Sequence, residues 1–164
     1  PKLVWWIPPS YGYCLNVDGA CKGNPGPCGG GGCMRDSNQD VHLSFAFFYG
    51  QGNSVIAEVR ALGVGLRLAE HRDSLVLAQS FILDKCPSWK CLYWWRIAKS
   101  LLNKFNITVL HVYRETNTVA NTLASLACER GESSVFIGSS FPHICKGPVV
   151  LDKIGLPSIR GMPR

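Results

Sequence analysis

The sequence predicts an α/β domain in which helices flank a mixed β-sheet. Two observations carry this prediction. Several short segments are β-branched and aromatic, and other segments place apolar residues at helical spacing. In chain order they read as three strands, a helix, an ambiguous segment, a helix, a strand and a helix. The length of 164 residues suits one domain, and an apolar content of 46% is too high for a disordered chain.

The segment CLNVDGACKGNPGP is predicted to begin as a strand and to end in a loop. Leu15 and Val17 fall on one face of the strand, and Asn16 and Asp18 fall on the other. The glycine- and proline-rich end continues neither a strand nor a helix. Asp18 is therefore expected at the end of a strand, where a rigidly held carboxylate suits Mg²⁺. The alternative is that Asp18 and Gly19 form a hairpin turn.

The next two strands and the first helix follow in order. Glycine-rich residues 29–34 and aromatic residues 41–49 are predicted to form an antiparallel meander with the first strand. Asn53 or Ser54 is expected to cap a helix that extends to about residue 71. Glu58 lies near the start of this helix, where a carboxylate is favourable even without a function.

The second half of the domain contains one ambiguous segment, residues 73–84, whose pattern fits a buried strand or a helix. A helix over residues 88–105 with basic outer positions, a strand over residues 107–113, and a final helix capped by Asn117 and ending at Cys128 are clearer. His111 is expected to lie in the core.

Composition limits the function classes only loosely. The net charge of +6 and the pI of about 9.0 are compatible with a polyanionic partner. The eight cysteines are expected to be free thiols, and their spacing matches no zinc site. No apolar segment approaches membrane-spanning length. These features favour an intracellular protein, in either the nucleus or the cytoplasm.

Three regions are predicted along the chain. Residues 1–11 form a lead-in, residues 12–130 form the domain, and residues 131–164 form a poorly structured tail rich in Gly, Ser and Pro.

Four segments carry a family resemblance: NVDGACKGNPGPCGGGGCMRD, AEVRALGVGLRLA, DSLVLAQ and HVYRETNTVANTLASLA. Together they resemble the ribonuclease H-like domain of plant retrotransposon-derived proteins, over about residues 8–128 and more loosely beyond. The resemblance implies a five-stranded mixed sheet with flanking helices. It also implies metal-dependent hydrolysis of the RNA strand of RNA–DNA hybrids.

In this family four carboxylates bind two Mg²⁺ ions, and Mn²⁺ is a possible substitute. By resemblance the first carboxylate is Asp18 and the second is Glu58, which also suits a hydrogen bond to a 2′-hydroxyl. Lys22 and the backbone around it are implied to approach the substrate phosphates. The implied substrate-binding set is Gly19, Lys22, Gly23, Asn24 and Glu58.

The other two carboxylate positions depart from the family pattern. The third is matched by Asp73, but it follows the first helix so closely that a strand between His71 and Asp73 is missing or shortened. In the alternative alignment residues 74–77 are the strand, and Gln79 or Ser80 occupies the carboxylate position. The fourth position holds Asn121, whose amide oxygen can ligate Mg²⁺ but adds no negative charge.

Two functions from different classes remain open at this point. The first is a Mg²⁺-dependent ribonuclease acting on RNA–DNA hybrids with Asp18, Glu58, Asp73 and Asn121 as catalytic and metal-binding residues. The second is a catalytically degenerate module that binds nucleic acid, either the hybrid or RNA, without turnover. A third possibility is a chain that folds poorly because it lacks a strand. No membrane partner is expected, and the protein is expected to be a monomer or part of a longer chain.

Overall fold

The computed structural model describes residues 1–70, 75–80, 86 and 88–161. The strands are β1 (Lys2–Val4), β2 (Tyr13–Cys21), β3 (Gly26–Asp36), β4 (Val41–Gly52), β5 (Leu75–Ser80), β6 (Thr108–His111), β7 (Ser134–Ile137) and β8 (Ser158–Arg160). The α-helices are α1 (Ser54–Ala69), α2 (Leu92–Lys104), α3 (Thr118–Arg130) and α4 (Lys146–Lys153). Four short 3₁₀ turns accompany them, at Trp89–Cys91, Arg114–Thr116, Gly138–Ser140 and His143–Cys145.

The main sheet is mixed, as the sequence predicts. Its strand order is β6-β5-β2-β3-β4-β7, with β5 and β6 parallel to β2 and the other neighbours antiparallel. The ambiguous segment therefore supplies a strand, and β5 is paired on both sides. The strand that was expected to be missing or shortened is present as β5, which has six residues, whereas His71 and Asp73 themselves lie outside the described residues.

Strand β2 continues past Asp18 to Cys21, so Asp18 and Gly19 form no hairpin turn and Asp18 is not the last residue of its strand. Every residue of β2 has a partner on β3, and Cys21 lies opposite Cys28. These two cysteines form a disulfide. The expectation of free thiols is thus wrong for this pair, because the hairpin brings the two side chains together.

The sheet is covered on both faces. Helices α1 and α2 pack against one face, whose buried residues include Leu15, Val17 and Phe45. Helix α3 packs against the other face with Val119 and Leu123. Because side chains alternate along a strand, Asn16 and Asp18 point to the α3 face. The candidate site therefore lies on that side of the sheet.

Residues 134–160 form regular elements, contrary to the expectation of a poorly structured tail. Strand β7 extends the main sheet beside β4, and β8 pairs with β1 in a separate two-stranded sheet. Cys145 and Val149 are buried in the cluster on the α3 face. These elements are too short to show periodicity, and a few buried side chains with strand pairing hold them in place.

Three local predictions have different outcomes. Asn53 caps α1 and accepts a hydrogen bond from the backbone N–H of Ile56 at 3.0 Å, as predicted. Asn117 occupies the N-cap position of α3 but makes no side-chain cap, because its amide bonds to β2 and to Asn16 instead. His111 is exposed, so its predicted place in the core is wrong.

Among the described residues, no helix has the length and apolar character needed to cross a membrane.

Candidate active site

Asp18 is the centre of the candidate site and is only 2% exposed. One carboxylate oxygen accepts the backbone N–H of Gly19 at 2.9 Å. The other accepts the side-chain N–H of Asn121, also at 2.9 Å. These two hydrogen bonds fix the orientation of the Asp18 carboxylate inside the fold.

Glycine at position 19 allows α1 to lie directly against β2. A Cβ at this position would collide with the backbone of Ala57 and of Glu58. Because only glycine permits this approach, the first turns of α1 reach the strand beside Asp18. Glu58 is thereby brought to Asp18 from a helix on the opposite face of the sheet.

Glu58 is buried, with only 7% of its surface exposed. Neither of its carboxylate oxygens has a hydrogen-bond partner within the described part of the chain. Burial first, and the adjoining Asp18 carboxylate second, raise the pKa of Glu58 to about 10. The nearby Gly19 N–H, which donates its hydrogen bond to Asp18, and the charge of Arg114 oppose the rise. An unsatisfied buried carboxyl of this kind is costly for the fold alone.

Asn121 reaches Asp18 from α3, which also lies close to the sheet. A Cβ at Gly31, the β3 residue opposite Asp18, would collide with the backbone of Ala120 and Ala124. The close approach of α3 therefore brings Asn121 within hydrogen-bond distance of Asp18. In the observed arrangement the amide donates its N–H to the carboxylate and acts as a partner of Asp18.

The third carboxylate position is resolved only in part, because Asp73 lies outside the described residues. The segment 74–77 of the alternative alignment falls largely within β5, and Gln79 pairs with Asn16 of β2. The side-chain oxygen of Gln79 accepts two hydrogen bonds, from Trp6 Nε1 at 2.9 Å and from Asn16 Nδ2 at 2.7 Å. Its two acceptor positions are thus filled by the protein.

The donor set at Asp18 and Glu58 fits a divalent cation. Carboxylate oxygens are the ligands preferred by Mg²⁺. Those of Glu58 have no hydrogen-bond partner in the part of the chain that the structure describes, and they lie close to a second carboxylate. No group of three or more His, Cys, Asp or Glu side chains suited to a metal occurs in the residues that the structure describes. The described part of the site is therefore a two-carboxylate site with an amide beside it.

The predicted substrate loop connects β2 to β3. Lys22 is exposed, and its ammonium group lies 3.8 Å from Glu129. The side-chain oxygen of Asn24 accepts the backbone N–H of Ser54 at 3.2 Å, which ties the loop to the start of α1. Gly23 has a φ of 87°, a conformation that favours glycine. Gly19, by contrast, is buried under α1.

Sequence reasoning missed a buried polar network beside Asp18. Asn16 donates to Asn117 at 3.1 Å, and Asn117 donates to the backbone carbonyl of Val17 at 2.7 Å. Arg35 of β3 also donates to Asn16, at 3.2 Å. The one available signal was that Asn16 shares a strand face with Asp18. The other members come from distant segments and carry no local pattern.

Comparison with known proteins agrees with this fold. Residues 16–78 match the family model described as "Reverse transcriptase-like". Over 137 residues the chain is 28% identical to an Arabidopsis thaliana protein named "Putative ribonuclease H protein At1g65750", and the match covers 77% of this chain and 22% of that protein. The chain thus spans about a fifth of the length of this curated relative.

Two solved structures are similar over most of this chain. The N-terminal RNase H domain of Rv2228c from Mycobacterium tuberculosis is 25% identical with a TM-score of 0.63, covering 69% of this chain and 95% of that chain. LC11-RNase H1, isolated from compost by a metagenomic approach, is 21% identical in its complex with an RNA/DNA hybrid. Its TM-score is 0.64, with coverage of 73% and 98%.

The strand order, the flanking helices and these matches define the class of this protein. It is an α/β protein with a ribonuclease H fold. More particularly, the chain contains a ribonuclease H-like domain, as the resemblance in its sequence implies.

Proposed function

We propose that this domain binds nucleic acid and hydrolyses the RNA strand of RNA–DNA hybrids with the help of divalent cations held by Asp18 and Glu58. The observation that carries the proposal is the buried carboxyl of Glu58, which lies beside Asp18 and finds no hydrogen-bond partner among the residues described. A fold does not retain such a costly pair for stability, whereas a cation between the two groups would offset the cost.

The similar proteins supply the substrate class. One relative is named as a ribonuclease H protein, and one similar structure holds an RNA/DNA hybrid. The net charge of +6 suits a polyanionic substrate. The loop at Lys22, Gly23 and Asn24 is well placed to contact phosphates, because it is exposed and adjoins both β2 and the start of α1.

Each site residue has a distinct task in this proposal. When bound, Mg²⁺ or Mn²⁺ supplies a water of lowered pKa and stabilises charge on the leaving oxygen, as a pair of ions in a two-metal site. Asp18 and Glu58 would hold the cations at a buried position. Asn121 orients Asp18 through its N–H and can turn its amide oxygen towards a cation or a water. Asp73 is the proposed third carboxylate, and Gln79 is less suited because its oxygen is fully used.

The test is cleavage of a labelled RNA–DNA hybrid with Mg²⁺, with Mn²⁺ or with EDTA. The wild-type chain is expected to cleave the hybrid only with metal, and Asp18→Asn is expected to abolish cleavage while leaving the fold intact. Asp73→Asn then decides whether Asp73 is the third ligand. Metal-independent cleavage, or cleavage that survives Asp18→Asn, would contradict the proposal.

A second candidate function, a degenerate nucleic-acid-binding module, is favoured by Asn121. An amide that donates to Asp18 removes the negative charge of a fourth carboxylate, which weakens the binding of two cations. The same assay separates the two candidates when hybrid binding is measured alongside cleavage. A folded protein that binds the hybrid without cleaving it is the degenerate module.

A further inference from the structure

Arg35 is a fully buried cation on the face of the sheet that carries Asp18. Its side chain is 1% exposed, and its guanidinium stacks 3.7 Å from the ring of Trp6. Within the described residues its Nε has no hydrogen-bond partner. A buried guanidinium needs a counter-charge, because an unpaired ion inside a protein is strongly destabilising.

Asp152 of α4 supplies that counter-charge. Arg35 Nη1 lies 2.7 Å from Asp152 Oδ2, and the Asp152 side chain is only 13% exposed. The pair is shielded from solvent, so removing one partner alone would leave an uncompensated buried charge, at a far greater cost than breaking a surface ion pair. The neighbouring pair of Lys153 with Asp40 is exposed on both sides.

From Arg35 the contacts lead to the candidate site. Arg35 Nη2 donates to the side-chain oxygen of Asn16, and the amide nitrogen of Asn16 donates to Asn117. Asn117 lies at the start of α3, and its backbone carbonyl accepts the N–H of Asn121 at 3.0 Å. Asn16 is two residues from Asp18 on the same face of β2. The network thus joins the strand of Asp18 to the helix of Asn121.

We propose that Asp152 is a positioning residue of the candidate site: through Arg35 and Asn16 it sets α3 against β2 and so fixes Asn121 on Asp18. Helix α4, which carries Asp152, then contributes to the geometry of the site. This inference rests on the proposed function only where metal affinity is concerned, since the contact between Asn121 and Asp18 exists without metal.

The test uses the full chain and removes both charges at once. The double variant Arg35→Met with Asp152→Leu avoids an unpaired buried ion, and such replacements are often neutral or stabilising. Two quantities are measured: the NMR signal of the Asn121 side-chain amide in metal-free protein, and Mg²⁺ affinity by calorimetry. We expect a folded variant whose Asn121 signal moves to that of a solvent-exposed amide and whose affinity falls by about tenfold.

The control is Lys153→Ala, which removes the exposed pair of the same helix and should change neither quantity. A folded double variant with the wild-type Asn121 signal would overturn the inference. If the double variant does not fold, the inference is tested with Asp152→Glu. This variant keeps the negative charge and displaces the carboxylate by one methylene. A shifted Asn121 signal then supports the inference, and an unchanged signal overturns it. A wild-type chain that binds no Mg²⁺ would overturn the proposed function, while the metal-free signal still decides this inference.

Discussion

At the residue scale, Glu58 shows how the site differs from an ordinary helix start. A carboxylate near a helix N-terminus is normally exposed and mildly stabilising. Here it is buried, lacks a hydrogen-bond partner among the described residues and adjoins Asp18. The sequence identified the residue through its resemblance to a family. The burial that makes it costly comes from the contact of α1 with Gly19, which no local pattern encodes.

Replacing Glu58 with Gln is expected to stabilise the metal-free protein. The pKa of Glu58 rises from its ordinary value of 4.5 to about 10 on folding, so the folded state holds a proton that the unfolded state loses. The stabilising contribution is complete below pH 4.5 and is lost as the pH rises through 10. Glu58→Gln removes this loss, and its free energy of unfolding should exceed that of wild type by roughly 2 kcal/mol near neutral pH.

The measurement is urea unfolding in EDTA at several pH values. The difference between variant and wild type should grow with pH between about 5 and 9. A difference that is constant across this range would show that Glu58 is not a buried proton-binding group.

Replacing Asn121 with Asp is expected to strengthen metal binding and to weaken the metal-free fold. The added negative charge should raise Mg²⁺ affinity by about tenfold, since ligand charge tunes affinity. Without metal, the substitution removes the hydrogen bond that the Asn121 amide donates to Asp18 and adds repulsion between the two carboxylates. The expected cost is about 1 kcal/mol.

Calorimetric titration and urea unfolding in EDTA measure the two effects. The matched control is Asn103→Asp, which makes the same chemical change at an exposed position on α2. Equal changes in both variants would indicate a general charge effect and would remove Asn121 from the site.

At the element scale, close approach through glycine positions the helices. Because Gly19 and Gly31 have no side chain, α1 can pack closely against β2 and α3 against β3. Two helices on opposite faces of the sheet therefore reach Asp18. The strongly patterned elements were predictable: α1, α2 and α3 are close to their expected bounds. The structure of the ambiguous segment was not predictable, because a short buried apolar run fits the spacing of a strand and that of a helix equally well. It became β5 because β2 and β6 each offer it a parallel edge.

Gly19→Ala is expected to destabilise the protein by about 1–3 kcal/mol, because its methyl group meets the α1 backbone and the helix must move. Denaturant unfolding provides the measurement. Gly147→Ala on α4 is the control, since a Cβ there meets nothing within 4 Å. A Gly19→Ala variant as stable as the control would mean that α1 does not lie against β2.

At the scale of the whole molecule, the two ends of the chain complete the fold. Strands β1 and β8 pair with each other, and Arg35 joins Trp6 near one end to Asp152 near the other. The sequence predicted the mixed sheet but not the pairing of β1 with β8 or the contacts of Arg35. Contacts between residues more than a hundred positions apart, such as Arg35 with Asp152, leave no signal in a single sequence.

A chain shortened to end at Gly131 is expected to lose about 3 kcal/mol or more of stability, because Arg35 loses its counter-charge and the α3 face is uncovered. A chain ending at Leu156 retains α4 and Asp152 and should lose much less. Thermal unfolding of both compares the two losses. Equal unfolding temperatures for wild type and the chain ending at Gly131 would mean that the residues after Gly131 do not stabilise the fold.

The measurement that tests the central claim most directly is calorimetric titration of Mg²⁺ and Mn²⁺ into wild type, Asp18→Asn and Glu58→Gln. Asp36→Asn serves as a control, since this carboxylate is engaged with His42 away from Asp18. If Asp18 and Glu58 form a divalent-cation site, wild type and the control bind and both site variants lose binding. Equal binding by all four proteins, or none by wild type, would contradict the account.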